Sequence, residues 1–243
     1  MKMRGMTFEC IYLDETDSTN RWLAENGVGE MVVVSDYQTA GRGQGGNAWE
    51  SERGRNLLFS VLVHPVWLPA DRQFLLSEAW ALSLKDVLDG YAADIRVKWP
   101  NDIYWCDRKI SGTLIETRLG GGLFKDAIIG TGINVNQQCF FSDAPNPVSL
   151  WQITGQETDR DALLHQVLEV FGGYLRTLQA ADYAMLRAAY HQALYRREGF
   201  SRYRDDRGLF DARLLEVTDG GMLVLLDADG RERRYGFKEV AFV

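Results

Sequence analysis

The sequence predicts an α+β protein, a mixed sheet flanked by helices and followed by a small β domain. Three observations carry this expectation. β-Branched and apolar runs of strand length recur through the first half of the chain, and stretches with helix-spaced apolar residues fall between and after them. After about Phe200 the text changes to short strand-like runs broken by hairpin turns.

The elements follow in order. A short helix is expected from Ser18, an N-cap-type residue ahead of Asn20, Arg21, Trp22 and Leu23. Met31 to Ser35 (MVVVS) suits a buried strand, and Asn56 to Val63 (NLLFSVLV) suits a second. Asp71 to Tyr91 places Phe74, Leu75, Ala79, Leu82 and Val87 at helical spacing and ends near Gly90. Ile95 to Trp99 alternates as a third strand, and Lys109 to Thr117 and Asp126 to Val135 complete the sheet. Asp159 to Leu178 carries Leu163, Val167, Val170, Phe171 and Leu175 on one helical face, and Asp182 to Arg196 forms a further helix. From Ala212 to Val243, Asp219-Gly220-Gly221 and Asp227-Ala228-Asp229-Gly230 are hairpin signals, so this part reads as a small β-barrel or β-sandwich.

Composition narrows the function. The 243 residues are 46% hydrophobic and 25% charged, enough for one full core and a small satellite. No run approaches the ~18 apolar residues that a membrane helix needs, and MKMRGMTFEC lacks the apolar region of a secretion signal, so the expected setting is the cytoplasm, away from any membrane. A net charge of −7 argues against general attraction to DNA. It leaves room for an anionic substrate, because a few cations focused in one cleft dominate locally. Cys10, Cys106 and Cys139 match neither a disulfide framework nor a zinc spacing, and His64, His165 and His191 are scattered.

Two glycine patterns need separating from function. Gly41, Gly43 and Gly46 satisfy G-x-G-x-x-G, but a dinucleotide fold requires a helix directly afterwards, and here the chain runs on into the strand NLLFSVLV. No Walker-type loop occurs, since the chain contains no Gly-Lys pair, so any ATP must be held by another device.

Four segments hold polar residues that a plain sheet does not need: Asp14 to Asn20 (DETDSTN), Gln38 to Ser51 (QTAGRGQGGNAWES), Lys98 to Gly112 (KWPNDIYWCDRKISG) and Gly130 to Asn136 (GTGINVN). Singly, each has an ordinary explanation as a helix cap, a flexible turn, a Pro-Asn-Asp turn or a strand whose glycines admit close backbone approach. Together and in this order they resemble the biotin protein ligase family. Its pattern runs D-S-T-N, Q-x-x-G-R-G-x-x-G-x-x-W-x-S, K-W-P-N-D with K-[IL]-x-G-[IL]-L-x-E, then G-x-G-[IL]-N-[VI]-N. Lys109 to Glu116 fits the third block apart from Thr113, and the resemblance extends from about Ile11 to Val243.

The resemblance implies a catalytic biotin- and ATP-binding domain over residues 1–200, akin to class II aminoacyl-tRNA synthetases, and an SH3-like β domain over 201–243. It implies that biotin is activated by ATP, with Mg2+, to biotinyl-5′-AMP and then passed to a lysine of a partner. That partner is a biotin carboxyl carrier domain of acetyl-CoA carboxylase or a related carboxylase. Joining two anionic partners calls for fixed cations and a divalent metal. Arg42 and Lys109 occupy the family's cationic positions: Arg42 offers a planar fork to carboxylate or phosphate, and Lys109 a point charge between biotin carboxylate and α-phosphate. Biotin's ureido ring presents one acceptor and two donors, so its pocket needs matching polar groups in an apolar cavity. By resemblance Ser18, Thr19 and Gln38 supply them, backbone at Gly112 and Leu114 lines the same end, Trp49 covers the ligand, and Asn20, Gly41, Gly43 and Gln44 complete the biotin set. Asn101 and Asn134 map to adenylate-binding positions, and Asp102 to a metal-binding one that also suits orienting the incoming amine.

The chain departs from the family in two places. The loop Gly41 to Asn47 carries Gln44 and Asn47 where arginines are customary, which removes charge-assisted contacts and predicts a less tightly held intermediate. The residues before Asp17 are too few for the winged helix-turn-helix that makes some relatives repressors, so no DNA partner is expected. Relatives often dimerise through sheet edges, which makes a homodimer conceivable here. The competing readings are a lipoate or octanoate ligase or transferase on the same fold, disfavoured by the polar ureido set, and a non-catalytic biotin-binding module, disfavoured by the presence of both Arg42 and Lys109.

Overall fold

The computed structural model describes residues 8–41, 43, 49–142 and 145–243. Among them the first unit is a seven-stranded sheet in the order β1-β2-β3-β7-β6-β5-β4. Its strands are β1 (Glu9–Leu13), β2 (Met31–Ser35), β3 (Leu57–Val63), β4 (Ile95–Lys98), β5 (Asp102–Trp105), β6 (Arg108–Gly120) and β7 (Leu123–Ile133). Only β1 and β2 run parallel; every other neighbouring pair is antiparallel. The predicted strands are present, and β1 and β5 are additions. ECIYL is mostly half-buried at the sheet edge, and DIYW is four residues long, so neither shows a sustained apolar run. Because β3 follows β2 and pairs antiparallel with it, the glycine pattern between them cannot belong to a parallel βαβ unit.

Both faces of this sheet are covered, which explains why β2 and β3 are buried at every position. Val32 and Val34 of β2 and Leu57, Phe59, Val61 and Val63 of β3 pack into the main core. That core is shared with α2 (Phe74–Leu88), α4 (Arg160–Gln179) and α5 (Tyr183–Ala193). On the opposite face Met31, Val33, Leu62 and Ile128 form a smaller cluster with Leu23 of α1 (Thr19–Asn26). The strand period of two thus assigns alternate side chains to the helical core and to the α1 side.

Helix ends correct the sequence reading in detail. The helix expected from Asp71 to Tyr91 is a 3₁₀ turn, Ala70–Arg72, followed by α2. Ser18 does occupy the N-cap position of α1, but its side chain makes no capping bond; instead its backbone N–H is taken by Asp17 Oδ1 at 2.6 Å. Asp159 and Asp182 cap α4 and α5 with their carboxylates. The short α3 (Leu150–Thr154), too brief for periodicity to reveal, starts with a Ser149–Gln152 capping box.

The C-terminal unit is a five-stranded antiparallel sheet ordered β11-β10-β9-β8-β12. It begins earlier than Ala212, with β8 (Ser201–Asp205) and β9 (Gly208–Val217), and continues through β10 (Leu223–Asp227), β11 (Glu232–Tyr235) and β12 (Ala241–Phe242). Both predicted turns join strands as expected, at 219–221 and 228–230. This sheet packs against the first unit around Trp99: its indole N–H donates to Gly221 O at 2.9 Å, and its ring meets Phe237 at 5.3 Å between centroids. Leu214, Val217, Leu223 and Leu225 join the same core as α2 and α5.

Candidate active site

The parallel pair β1–β2 builds the first half of the site. Beyond its last paired residues the two chains stay side by side: Thr16 bridges Gln38, Thr39 N–H donates to Thr16 O at 2.9 Å, and Ala40 N–H donates to Asp17 O at 2.9 Å. DSTN and the start of the glycine loop are therefore neighbours, although about twenty residues separate them in sequence. Thr19 N–H donates to Gln38 Oε1 at 2.8 Å, and the Thr19 hydroxyl lies 3.1 Å from the same oxygen.

The antiparallel pair β6–β7 supplies the floor. Gly112 lies opposite Gly132, and Leu114 opposite Gly130, on the face toward α1. A methyl group on Gly130 would sit 2.0 Å from Asn20 Oδ1, and one on Gly132 would sit 2.4 Å from Trp49 Cε2. Side chains rest directly on this backbone, and only glycine leaves room for them. Trp49 lies against the floor; its indole N–H is buried and has no hydrogen-bond partner among the described residues.

The meander β4–β5–β6 supplies charge. Lys98 stands opposite Asp102 in register, and Lys109 Nζ donates to Asp102 Oδ2 at 2.6 Å. Lys109 Nζ is also 5.8 Å from the Trp49 ring centre. Lys98 Nζ donates to the Tyr104 hydroxyl at 2.9 Å. Burial pulls the Lys98 ammonium below the usual lysine range; Asp102 opposes this, while Lys109 and Arg196 add to it.

These parts enclose one cavity of about 610 Å³. Of the residues singled out from sequence, it gathers Ser18, Thr19, Asn20, Gln38, Gly43, Trp49, Asp102, Lys109, Gly112, Leu114 and Asn134. Asn101 lies elsewhere: it is buried, and its Nδ2 donates to Ser77 Oγ of α2 at 3.2 Å, so it braces the turn before β5. Gly41 is not in the wall either; its carbonyl accepts the Trp49 backbone N–H at 3.2 Å. Arg42, Gln44 and Asn47 lie outside the described residues.

Residues not singled out from sequence also line the cavity, among them Lys98, Tyr104, Thr131, Glu50 and Lys238. Lys98 and Glu50 were within reach, since they sit inside the K-W-P-N-D and W-x-S blocks. Glu50 holds the segment over the cavity by accepting the backbone N–H groups of Phe141 and Ser142 at 2.8 and 2.9 Å. Ser60, which touches Thr19 and Asn20 from β3, carries no motif signal.

The sequence model of the biotin/lipoate A/B protein ligase family matches residues 10–134, close to the whole of the seven-stranded sheet and the segments that line the cavity. The chain belongs to this family. Within it, the chain is 30% identical over 246 residues to the bifunctional ligase/repressor BirA of Bacillus spizizenii, covering 97% of this chain and 74% of that protein. It is 28% identical over 237 residues to the biotin–[acetyl-CoA-carboxylase] ligase of Paracoccus denitrificans, covering 90% of this chain and 95% of that one. Among solved structures, the biotin protein ligase of Aquifex aeolicus in complex with biotin and ATP matches with a TM-score of 0.81 at 27% identity, covering 97% of this chain and 98% of that one. The family name spans biotin and lipoate chemistry, and the Paracoccus denitrificans and Aquifex aeolicus relatives both lie on the biotin side.

Proposed function

We propose that this protein is a biotin–protein ligase: it activates biotin with ATP to biotinyl-5′-AMP, then transfers the biotinyl group to a lysine of a carboxylase's biotin carboxyl carrier domain. The observation that carries this is one cavity with two unlike ends. One end is a neutral polar corner made by Thr19 and Gln38; the other holds the ammonium groups of Lys98 and Lys109, with a glycine floor between them. Its volume is in the range of small-molecule sites. A bicyclic ureido head with an acidic tail suits these two ends, whereas an apolar dithiolane or alkyl chain would leave the polar corner unmatched.

In the first step a biotin carboxylate oxygen attacks the α-phosphorus of ATP, and the bond to pyrophosphate breaks. Lys109 is placed to offset the negative charge that gathers between carboxylate and phosphate. Its partner Asp102 keeps it extended over the floor until the anions arrive. Asp102 and the buried Asn134 Oδ1, which has no hydrogen-bond partner among the described residues, line the same cavity, and oxygen donors of this kind suit Mg2+. These two residues would hold the ion, which would neutralise phosphate oxygens. In the second step a neutral lysine amine of the carrier attacks the acyl carbon and AMP leaves. The mixed anhydride is already activated, so positioning dominates, and we assign the orienting of that amine to Asp102. We assign these steps to a unit of residues 1–200, with 201–243 as a separate unit packed on Trp99.

The test is mass spectrometry of a purified biotin carboxyl carrier domain after incubation with the enzyme, MgATP and either biotin or lipoate. One biotinyl group on one lysine is expected. Lipoylation without biotinylation would replace this reading by the lipoate one.

A further inference from the structure

Among the described residues the polar corner contains more acceptors than protons, and its order is set from outside the cavity. Three oxygen–oxygen contacts run in a chain from Asn20 to Gln38: Asn20 Oδ1 to Ser60 Oγ at 2.6 Å, Ser60 Oγ to Thr19 Oγ1 at 2.7 Å, and Thr19 Oγ1 to Gln38 Oε1 at 3.1 Å. Only the Thr19 and Ser60 hydroxyls carry protons in this chain, one each. Two protons cannot serve three contacts.

Which contact goes without depends on how the two amides face. Gln38 is fixed, because its Oε1 accepts the Thr19 backbone N–H at 2.8 Å. Asn20 is fixed mainly by Glu116 at the far side of the wall: Asn20 Nδ2 donates to Glu116 Oε2 at 2.6 Å and, in a much longer contact, to Leu114 O at 3.5 Å, and both can only accept. Asn20 Oδ1 must then face Ser60 and take its only proton. Ser60 is buried completely, so its one proton, once given to Asn20, is not available to Thr19 as well. Thr19 then has one proton for two acceptors, Ser60 Oγ at 2.7 Å and Gln38 Oε1 at 3.1 Å, so one of these contacts goes without and sets two acceptors side by side at the cavity wall. An N–H group from a ligand is what completes them.

We propose that Glu116 is a positioning residue that sets the donor–acceptor sense of the pocket through Asn20 and Ser60, and so makes it demand a ligand N–H. This rests on the biotin reading, whose ureido head supplies such a group. Glu116 does not line the main cavity. Its side chain borders a smaller hollow of about 210 Å³ behind Asn20, with Arg21, Arg118 and Asp126, and is exposed there. Without the carboxylate only the 3.5 Å contact to Leu114 O holds the amide, and Asn20 can exchange it for a short donation to Ser60 by turning over. Ser60 then donates to Thr19 and Thr19 to Gln38, so all three contacts are served and the ligand N–H loses its place.

The experiment measures binding of biotin, and of biotin methylated on both ureido nitrogens, by calorimetry to wild type, Glu116→Ala and Glu116→Gln, with melting temperatures and the KM for ATP alongside. Glu116→Ala is expected to weaken biotin binding about tenfold, the cost of one misdirected buried hydrogen bond. Glu116→Gln keeps a carbonyl acceptor toward Asn20 and should stay within about twofold of wild type. The penalty for methylation should be about tenfold smaller in Glu116→Ala than in wild type, a coupling that a merely structural role would not produce. Melting temperature and the KM for ATP should not move. Equal biotin affinity in wild type and Glu116→Ala, or a Gln variant as weak as the Ala one, would overturn the positioning role while leaving the functional reading intact. A wild type that binds no biotin would overturn both.

Discussion

Lys109 and Asp102 form a half-buried pair in a cavity meant for anions, and the two residues should fail in different ways when removed. Lys109→Ala is expected to cost about 2–4 kcal/mol of transition-state stabilisation in the first step, roughly a 30- to 1000-fold fall in biotin-dependent ATP–pyrophosphate exchange. Exchange at the wild-type rate would remove Lys109 from the chemistry. Asp102→Ala should show its larger defect in the second step: with preformed biotinyl-5′-AMP, single-turnover transfer to the carrier should slow about tenfold or more. Transfer at the normal rate would remove the orienting role. At this scale the motifs led to Thr19, Gln38, Asp102 and Lys109, which the structure gathers in one cavity, and also to Asn101 and Gly41, which lie outside its wall; the sequence was silent where a residue belongs to no motif. Ser60 sits in an apolar run, and nothing in LLFSVLV marks it as the link between Thr19 and Asn20.

The strand pair β6–β7 works as a floor because three of its inward positions, Gly112, Gly130 and Gly132, have no side chains to obstruct it. Gly132→Ala would bring a methyl group within 2.4 Å of Trp49 Cε2, so the indole would have to leave its place. Biotin affinity should fall at least about tenfold, and the tryptophan emission of the unliganded protein should shift toward the red as the ring gains water. An unchanged spectrum with unchanged affinity would show that the ring does not need the glycine floor. The strands themselves were legible in β-branched runs, and the long helices in their apolar spacing. β5 and α3 were not, because DIYW and LWQIT are short and show neither the β-branched run that marked β2 nor the alternation that marked β4.

Across the described molecule, helices α2, α3, α4 and α5 and both sheets share one continuous core, and a carboxyl group is buried within it. Glu78 on α2 is 1% exposed, and its Oε2 has no hydrogen-bond partner among the described residues. Burial pushes its pKa from 4.5 up to about 7, against the pull of Arg187 on α5. Between those values the folded state holds a proton that the unfolded state has lost. The neutral carboxyl's contribution is therefore complete below about 4.5 and disappears as pH rises through about 7, a difference on the order of 3 kcal/mol. Glu78→Gln carries no titrating group, so its stability should fall less than wild type's between pH 5 and pH 8 in chemical denaturation. Parallel curves would sink this prediction. The sequence by itself determined the alternating strands, the apolar helix faces, the hairpin turns and the four motifs, because each is a local pattern that a few neighbouring residues express. Only the tertiary structure decided that β1 and β2 run parallel and so bring Thr19 to Gln38, that Ser60 and Glu116 stand on either side of Asn20, and that Asn101 turns toward α2 and away from the cavity. Those arrangements join residues far apart in the chain, and the energy that selects them is packing and hydrogen bonding across the assembled sheet, which no local pattern records.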